Sequence, residues 1–312
     1  MENLISLVVP CYNEEEALPF FLEAAQKIER VFNTKHEVEF EYIFVDDGSA
    51  DKTLSLLQEY SERYSNIHYI AFSRNFGKEA AILAGLKKSS GDYVALLDAD
   101  LQDPPELLEE MYLAVKDGKY DSAATRRRDR KGEPPVRSFF AHRFYNLMNK
   151  ISDVDMIDGA RDFRLMSRQM TDSVLSLSEY NRFSKGIFGW VGYETKWIDF
   201  ENQERVAGET KWSFWKLLKY SLDGIVGFSV SPLSIASYSG ILLFLLSIIM
   251  IIVIIVKTLV WGDPVAGYPS LVCIIMFIGG IQLLCIGVLG EYLSKTYLEA
   301  KHRPVYIVKE EK

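Results

Sequence analysis

The sequence predicts an α/β protein in which a parallel sheet with helices on both faces precedes a pair of long apolar helices. Three observations carry this. In the first third of the chain, short β-rich runs alternate four times with helical patterns across short connections, as in a parallel sheet joined by right-handed crossovers. No charged residue lies between Asp223 and Lys257, or between Asp263 and Glu291, and each gap holds an apolar run of the roughly 20 residues needed to cross a bilayer. The four β-rich runs end in the polar loops PCYNE, VDDGS, SRNFG and DADLQD. Ligands of open parallel sheets bind beyond the carboxyl ends of the strands, so these loops are expected to converge on one edge.

The elements follow in order. Ile5–Pro10 reads as the first strand and Ala17 to Phe32 as a helix. Phe40–Val45 is the second strand, cut off by Asp46-Asp47-Gly48-Ser49, and Asp51 is placed to cap a helix whose apolar face uses Leu54, Leu57 and Tyr60. His68–Phe72 and Lys78–Lys88 form the third pair. Tyr93–Leu97 is the fourth strand, and Pro104-Pro105 opens the next helix as N1-type prolines. Residues 120–210 are less regular, with a basic run from Arg126 to Lys131, a helical stretch from Val136 to Lys150, and then DGARDFRLMSR and FSKGIFGWVGY.

The apolar helices are expected at Ile235–Val256 and Tyr268–Gly290, because ILLFLLSIIMIIVIIV has no polar face to offer water. Lys211, Lys216 and Lys219 precede the pair, and Lys295, Lys301 and Arg303 follow it, whereas the connecting loop carries one lysine and one aspartate. By the positive-inside rule both ends face the cytoplasm. Trp212, Trp215, Lys216 and Lys219 mix aromatic and basic character at helical spacing, which suits a helix lying in the membrane interface. The expected organisation is a cytoplasmic α/β domain over 1–210, an amphipathic juxtamembrane segment over 211–233, a transmembrane hairpin over 234–293 and a cytoplasmic tail over 294–312.

The chain has 312 residues and a net charge of −8, which does not suit a nucleic-acid binder. Its three cysteines, Cys11, Cys273 and Cys285, match no zinc or disulfide spacing and are expected as reduced thiols. The N-terminus MENLISLVVP is strand-like, without the basic and apolar regions of a signal peptide. There is neither a Walker lysine motif nor GxGxxG, so a P-loop kinase or a dinucleotide dehydrogenase is not indicated.

The chemistry concentrates in VALLDADLQDPPE, where an apolar strand turns into Asp98, Asp100 and Asp103. Like charges gathered at a strand end need a positive partner. If the chain stays extended, Asp98, Asp100 and Gln102 face one way and present oxygen donors that suit Mg²⁺ or Mn²⁺. A nucleotide diphosphate could supply the remaining ligands and leave as a metal-stabilised group.

VVPCYNEEE, YIFVDDGSADKT, SRNFGKEAAILAGL and LLDADLQDPPE together resemble the motifs of family 2 glycosyltransferases. More narrowly they are similar to the polyprenyl-phosphate sugar transferases, the group of dolichol-phosphate mannosyltransferase and the bactoprenol glucosyltransferases. DFRLMSR, ERVAGETKWS and the paired apolar helices extend the likeness over nearly the whole chain. The resemblance implies a GT-A (Rossmann-like) domain that moves a sugar from a nucleotide sugar to a lipid phosphate at the cell membrane, for cell-envelope glycan modification. It implies Pro10, Tyr12 and Glu14 at the nucleotide, Asp47 at the base, and Asp98 by the ribose and metal, with Asp100 and Gln102 as metal ligands. Asp46 fits either a base contact or a plain turn residue. Asp162 matches the acidic residue proposed as catalytic base, and Arg205 and Lys211 match cations that grip the acceptor phosphate. Arg126 and Arg137 fit the same task or a solvated surface.

The Gln-x-x-Arg-Trp motif of processive synthases is missing, since Gln203 is followed by Glu204, Arg205 and Val206. That points to transfer of a single sugar, with inversion as the family's usual outcome. UDP-glucose and undecaprenyl phosphate are the expected pair, with GDP-mannose, UDP-GlcNAc or a UDP-aminoarabinose derivative as other donors and a homo-oligomer as the expected assembly. The rival reading is a non-catalytic membrane scaffold.

Overall fold

A computed structural model of the chain describes residues 3–127, 143, 149–152, 157–200, 224–261 and 267–312. Four strands form the parallel centre: β1 (Asn3–Cys11), β2 (Val38–Asp46), β3 (Ile67–Phe72) and β4 (Tyr93–Leu96). Helices α1 (Leu18–His36), α2 (Thr53–Arg63) and α3 (Lys78–Lys88) connect them, and α4 (Leu107–Lys116) follows β4. The strands are buried on both faces, as parallel strands must be. Ile5, Leu7, Val9 and Cys11 face the core beneath α1, α2 and α4, and Val8 faces the core beneath α3.

The described residues within 120–200 form more regular structure than their sequence pattern indicates. They form β5 (Ser122–Arg127), β6 (Ala160–Ser167), α5 (Arg168–Ser176), α6 (Ser184–Trp190) and β7 (Thr195–Phe200). β6 runs antiparallel between β4 and β5, and β7 pairs parallel with β5. The helix expected over Val136–Lys150 lies mostly outside the described residues, as does the interfacial segment around Trp212–Tyr220. Among the described residues the sheet has eight strands in the order β7-β5-β6-β4-β1-β2-β3-β8. β1 sits at the switch point, with β2 on one side and β4 on the other, which opens the crevice that ligands use in such sheets.

The prolines differ from expectation. Pro104 and Pro105 form the turn before α4, and their carbonyls accept the N–H groups of Leu107 and Leu108 at 3.1 and 3.0 Å. Asp51 does serve the start of α2, accepting the N–H of Thr53 at 3.0 Å.

The apolar helices are α7 (Ser231–Trp261) and α8 (Tyr268–Ala300), each longer than its uncharged core. Within them Ser231–Met250 and Phe277–Ala300 are long and apolar enough to cross a membrane, and neither window is buried against protein. After α8 the chain returns to the eight-stranded sheet. β8 (Val308–Glu311) pairs antiparallel with β3, and Tyr306 stacks on Phe72 with ring centroids 4.9 Å apart.

Candidate active site

The four polar loops meet at the carboxyl edge of the sheet and are stitched together by hydrogen bonds. The β1 and β2 loops are laced by Asn13, whose N–H donates to the Ser49 hydroxyl and whose side-chain oxygen accepts from Ala50, both at 2.8 Å. The N–H of Glu14 donates to the Thr53 hydroxyl at 2.8 Å. Pro10 lies near the end of β1, paired with Val45, and Tyr12 is exposed.

The β2 and β3 loops approach so closely that only glycine fits at position 48. A Cβ there would lie 2.5 Å from the carbonyl carbon of Arg74. Asp46 is buried and accepts the N–H of Ser49 at 3.1 Å. Asp47 reaches across to accept the N–H groups of Phe76 and Gly77 at 2.6 and 2.9 Å. Burial raises its carboxyl to about 6 against the pull of those two donors. Gly77 has φ +100, a conformation that side chains disfavour, and the residue after it is Lys78.

Lys78 is the centre of the site. Its Nζ donates to both oxygens of Asp98, at 2.7 and 2.8 Å, and to Asp162 at 2.5 Å. Asp162 arrives from β6. Because β6 is antiparallel to β4, its start lies at the same edge as the end of β4, and the register Leu96↔Arg164, continued two residues, sets Asp162 opposite Asp98. Lys185, from α6, stands 3.9 Å from the other Asp162 oxygen and donates to the Ala160 carbonyl at 3.1 Å. Burial would raise the Asp162 carboxyl, but Lys78 and then Lys185 hold it well below the usual carboxylate range. Burial would likewise lower Lys78, yet Asp162 and Asp98 keep its ammonium charged well above the ordinary lysine range. About a third of the lysine side chain remains open to solvent, so the group is screened on one side.

Asp103 is fully buried, and Arg161 Nε donates to both of its oxygens at 2.9 and 3.2 Å. The acidic loop therefore finds part of its positive counterpart in the chain itself. Arg164 lies with its guanidinium 3.9 Å from the centroid of Phe188, and burial lowers it to about 10 despite Asp162.

The loop does not stay extended beyond β4. Residues 99–100 turn and Leu101 takes a left-handed φ of 54, so the simple alternation of Asp98, Asp100 and Gln102 is broken. Asp100 is mostly buried, and one of its oxygens accepts the Gln102 N–H at 3.1 Å. Among the described residues no three carboxylate, histidine or cysteine side chains form a metal cage. The donor chemistry still fits Mg²⁺ or Mn²⁺, which are commonly held by one or two carboxylates with substrate phosphates completing the shell.

Arg126 stands apart from this cluster. It forms a two-pronged pair with Asp199, with Nε at 2.7 Å and the second bond at 3.0 Å. Arg137, Arg205 and Lys211 lie outside the described residues. Lys78, Arg161 and Lys185 were not among the candidates drawn from the sequence. For Lys78 a signal existed, a cation directly after a Gly where the loop ending a parallel strand enters the next helix. Lys185 had none, because only the packing of α6 brings it to Asp162.

Comparison with known proteins completes the picture. Residues 6–175 match glycosyl transferase family 2, and residues 231–296 match the GtrB C-terminal hairpin. The chain is 43% identical over 308 residues to the bactoprenol glucosyl transferase of Shigella phage SfV, covering 99% of both proteins. It is 41% identical over 305 residues to the prophage bactoprenol glucosyl transferase homolog of Escherichia coli (strain K12), covering 98% of each. It is also 41% identical over 304 residues to the uncharacterized glycosyltransferase sll0501 of Synechocystis sp. (strain ATCC 27184 / PCC 6803 / Kazusa), covering 97% of this chain and 94% of that protein. With a family match over more than half its length and relatives that align from end to end, the chain belongs to glycosyl transferase family 2 and is a glycosyltransferase carrying the paired C-terminal hairpin.

Proposed function

We propose that the enzyme transfers one glucosyl unit from UDP-glucose to a polyprenyl phosphate such as undecaprenyl phosphate, with inversion, as a membrane-embedded homo-oligomer serving cell-envelope glycan modification. The observation that carries this reading is identity above 40% to proteins named bactoprenol glucosyl transferase, extending through both the acidic edge and the hairpin.

The site suits a pre-ionised nucleophile. A phosphate monoester has its second pKa near roughly 6 and is largely dianionic at neutral pH, so it needs no base. Asp162, tied to two lysines and held ionised, is a weak proton acceptor. Its role is to anchor Lys78 and Lys185 where negative charge gathers between donor and acceptor. Pro10, Tyr12 and Glu14 line the nucleotide's approach. Asp47 acts on the base through the Phe76–Gly77 loop it grips, and Asp46 through the turn at Ser49. Asp98, Asp100 and Gln102 are the residues that would hold Mg²⁺ or Mn²⁺. Such an ion supplies charge neutralisation of the donor diphosphate as leaving group. Arg205, Lys211 and Arg137 are assigned to the acceptor phosphate. Arg126 joins them only by releasing Asp199.

The test is a donor screen on the purified full chain with undecaprenyl phosphate. UDP-glucose, UDP-GlcNAc, GDP-mannose and a UDP-aminoarabinose derivative are compared with and without EDTA. Lipid-linked glucose is expected from UDP-glucose alone, and chelation should abolish it. Transfer from a different donor overturns the sugar assignment. No transfer to any polyprenyl phosphate overturns the acceptor class, and full activity in EDTA overturns the metal.

A further inference from the structure

The last turn of α8 reaches back into the catalytic domain. Charge is absent from Tyr268 to Gly290 and then returns at Glu291, Lys295 and Glu299, four residues apart. At 1.5 Å per residue the uncharged stretch spans about 34 Å, which fills a bilayer core of about 30 Å. The following turns therefore stand beyond it. On them, Glu299 Oε1 accepts the backbone N–H groups of Tyr180 and Asn181 at 2.8 and 3.3 Å. Those residues belong to the loop between α5 and α6.

That loop leads directly to the site. Within five residues of Tyr180 come Ser184 and Lys185. The Ser184 N–H donates to Glu79 Oε2 at 2.9 Å, and its hydroxyl bonds the same oxygen. Glu79 is the neighbour of Lys78. Lys185 faces Asp162. The entry to the hairpin presses on the same place. Phe228 packs against Phe183 with centroids 5.9 Å apart, and lies so close to Gly186 that a Cβ there would be 2.6 Å from its ring. The exit of the hairpin thus holds the loop that starts α6, and its entry packs against α6 itself.

We propose that Glu299 is a positioning residue for the transferase site. By holding the N–H groups of Tyr180 and Asn181 it fixes the start of α6, and through it the placement of Ser184 on Glu79 and of Lys185 beside Asp162. This rests on the reading of the Lys78–Asp98–Asp162 edge as the place of transfer. A displacement of about 1 Å in a positioned group is enough to cost a large factor in rate. The hairpin does more than anchor the enzyme, since its exit sets the geometry of the chemistry.

A double-mutant cycle tests this on the full chain in lipid nanodiscs, with UDP-glucose and undecaprenyl phosphate. Glu299→Ala should lower kcat about tenfold while UDP binding, followed by calorimetry, stays within about twofold. Glu299→Gln keeps the accepting carbonyl oxygen and should restore most of the rate. Glu299→Ala combined with Lys185→Ala should be slower than Lys185→Ala alone by less than the factor that Glu299→Ala costs by itself, because the two changes share the Lys185–Asp162 route while the Ser184–Glu79 route belongs to Glu299 alone. Should Glu299→Ala fail to fold, Glu299→Asp keeps the charge but withdraws the oxygen by one methylene, and a loss of kcat is again expected. Full kcat in a folded Ala or Asp variant, no recovery in Gln, or losses that multiply in the double variant would each overturn the proposal. Asp162→Asn serves as control. If it transfers at the normal rate, the site reading fails; if it is dead while Glu299 variants are normal, only the present proposal fails.

Discussion

At the residue scale, one lysine organises the acidic edge. Lys78 binds Asp98 and Asp162 at once, and without it the two carboxylates face each other across two strands with only the more distant Lys185 beside Asp162. Lys78→Met should therefore lower turnover by roughly hundredfold or more, the scale of losing one charge-stabilising donor. Lys78→Arg should recover only part of this, since a planar fork cannot occupy the place of a compact ammonium. Single-turnover kinetics on both variants, with folding followed by circular dichroism, checks this; near-normal turnover in Lys78→Met would remove the lysine from the mechanism. Asp47 gives a second residue-scale expectation. Its carboxyl is raised from 3.8 to about 6, so the folded state holds a proton that the unfolded state has released. Stability contributed by this group is therefore present below about pH 4 and falls as pH rises to about 6. At 1.4 kcal/mol per unit, the effect is on the order of 3 kcal/mol. Asp47→Asn keeps an oxygen for Phe76 and Gly77 and should flatten stability against pH over that window, as read by thermal melts between pH 4 and 7. An unchanged slope would show that Asp47 is not the group responsible. Asp162 is shifted the other way, so its contribution is complete above about pH 4 and is lost only in stronger acid.

At the element scale, β8 decides more than its four residues suggest. β3 would otherwise be the sheet's edge, a row of unpaired backbone groups open to other chains. β8 covers it. Gln58 binds Glu310 at 2.6 Å, Lys312 donates to the Ser61 carbonyl at 2.6 Å, and the Ser73 N–H donates to the Ile307 carbonyl at 3.0 Å. Ser73 begins the loop that ends at Lys78. Removing residues 304–312 should cost about 2 kcal/mol or more, from the stacked Tyr306 ring and the lost hydrogen bonds. It should also promote aggregation through the bared edge. Thermal unfolding in detergent with size-exclusion chromatography measures both, and a truncated chain as stable and as monodisperse as the full one would refute this role.

At the scale of the whole molecule, the return of the chain constrains its topology. α7 leaves the catalytic domain, and β8, after α8, is part of that domain's sheet. A hairpin of two spans that leaves and rejoins this domain is expected to carry the connection between α7 and α8 on the far side of the membrane. The basic residues Lys295, Lys301 and Arg303 agree by the positive-inside rule. In a background with Cys273 and Cys285 replaced by serine, Asp263→Cys should react with an impermeant thiol reagent on intact cells. Arg303→Cys should react only after permeabilisation. The reverse pattern would place the catalytic domain outside the cell and exclude a cytoplasmic donor.

The sequence by itself determined what depends on local pattern. Lys78–Lys88 was legible to the residue, and the other early elements to within a few positions, because alternation and helical spacing report which face of each element is buried. The acidic loops were legible as a group, since strand ends of a parallel sheet share one edge. The two apolar helices were legible from the absence of charge, and α8 begins at Tyr268 as expected, but both ends of α7 and the far end of α8 run on, because charged and polar turns continue a helix as readily as apolar ones. Tertiary structure alone decided the rest. β6 carries no parallel-strand signature, and its antiparallel insertion is what brings Asp162 to Asp98. Leu101 turns the metal-type loop out of the extended form that its spacing suggested. Lys185, Glu299 and β8 are far apart in the chain from what they touch, and a residue's partner across 20 or 240 positions is set by packing, about which local periodicity carries no information.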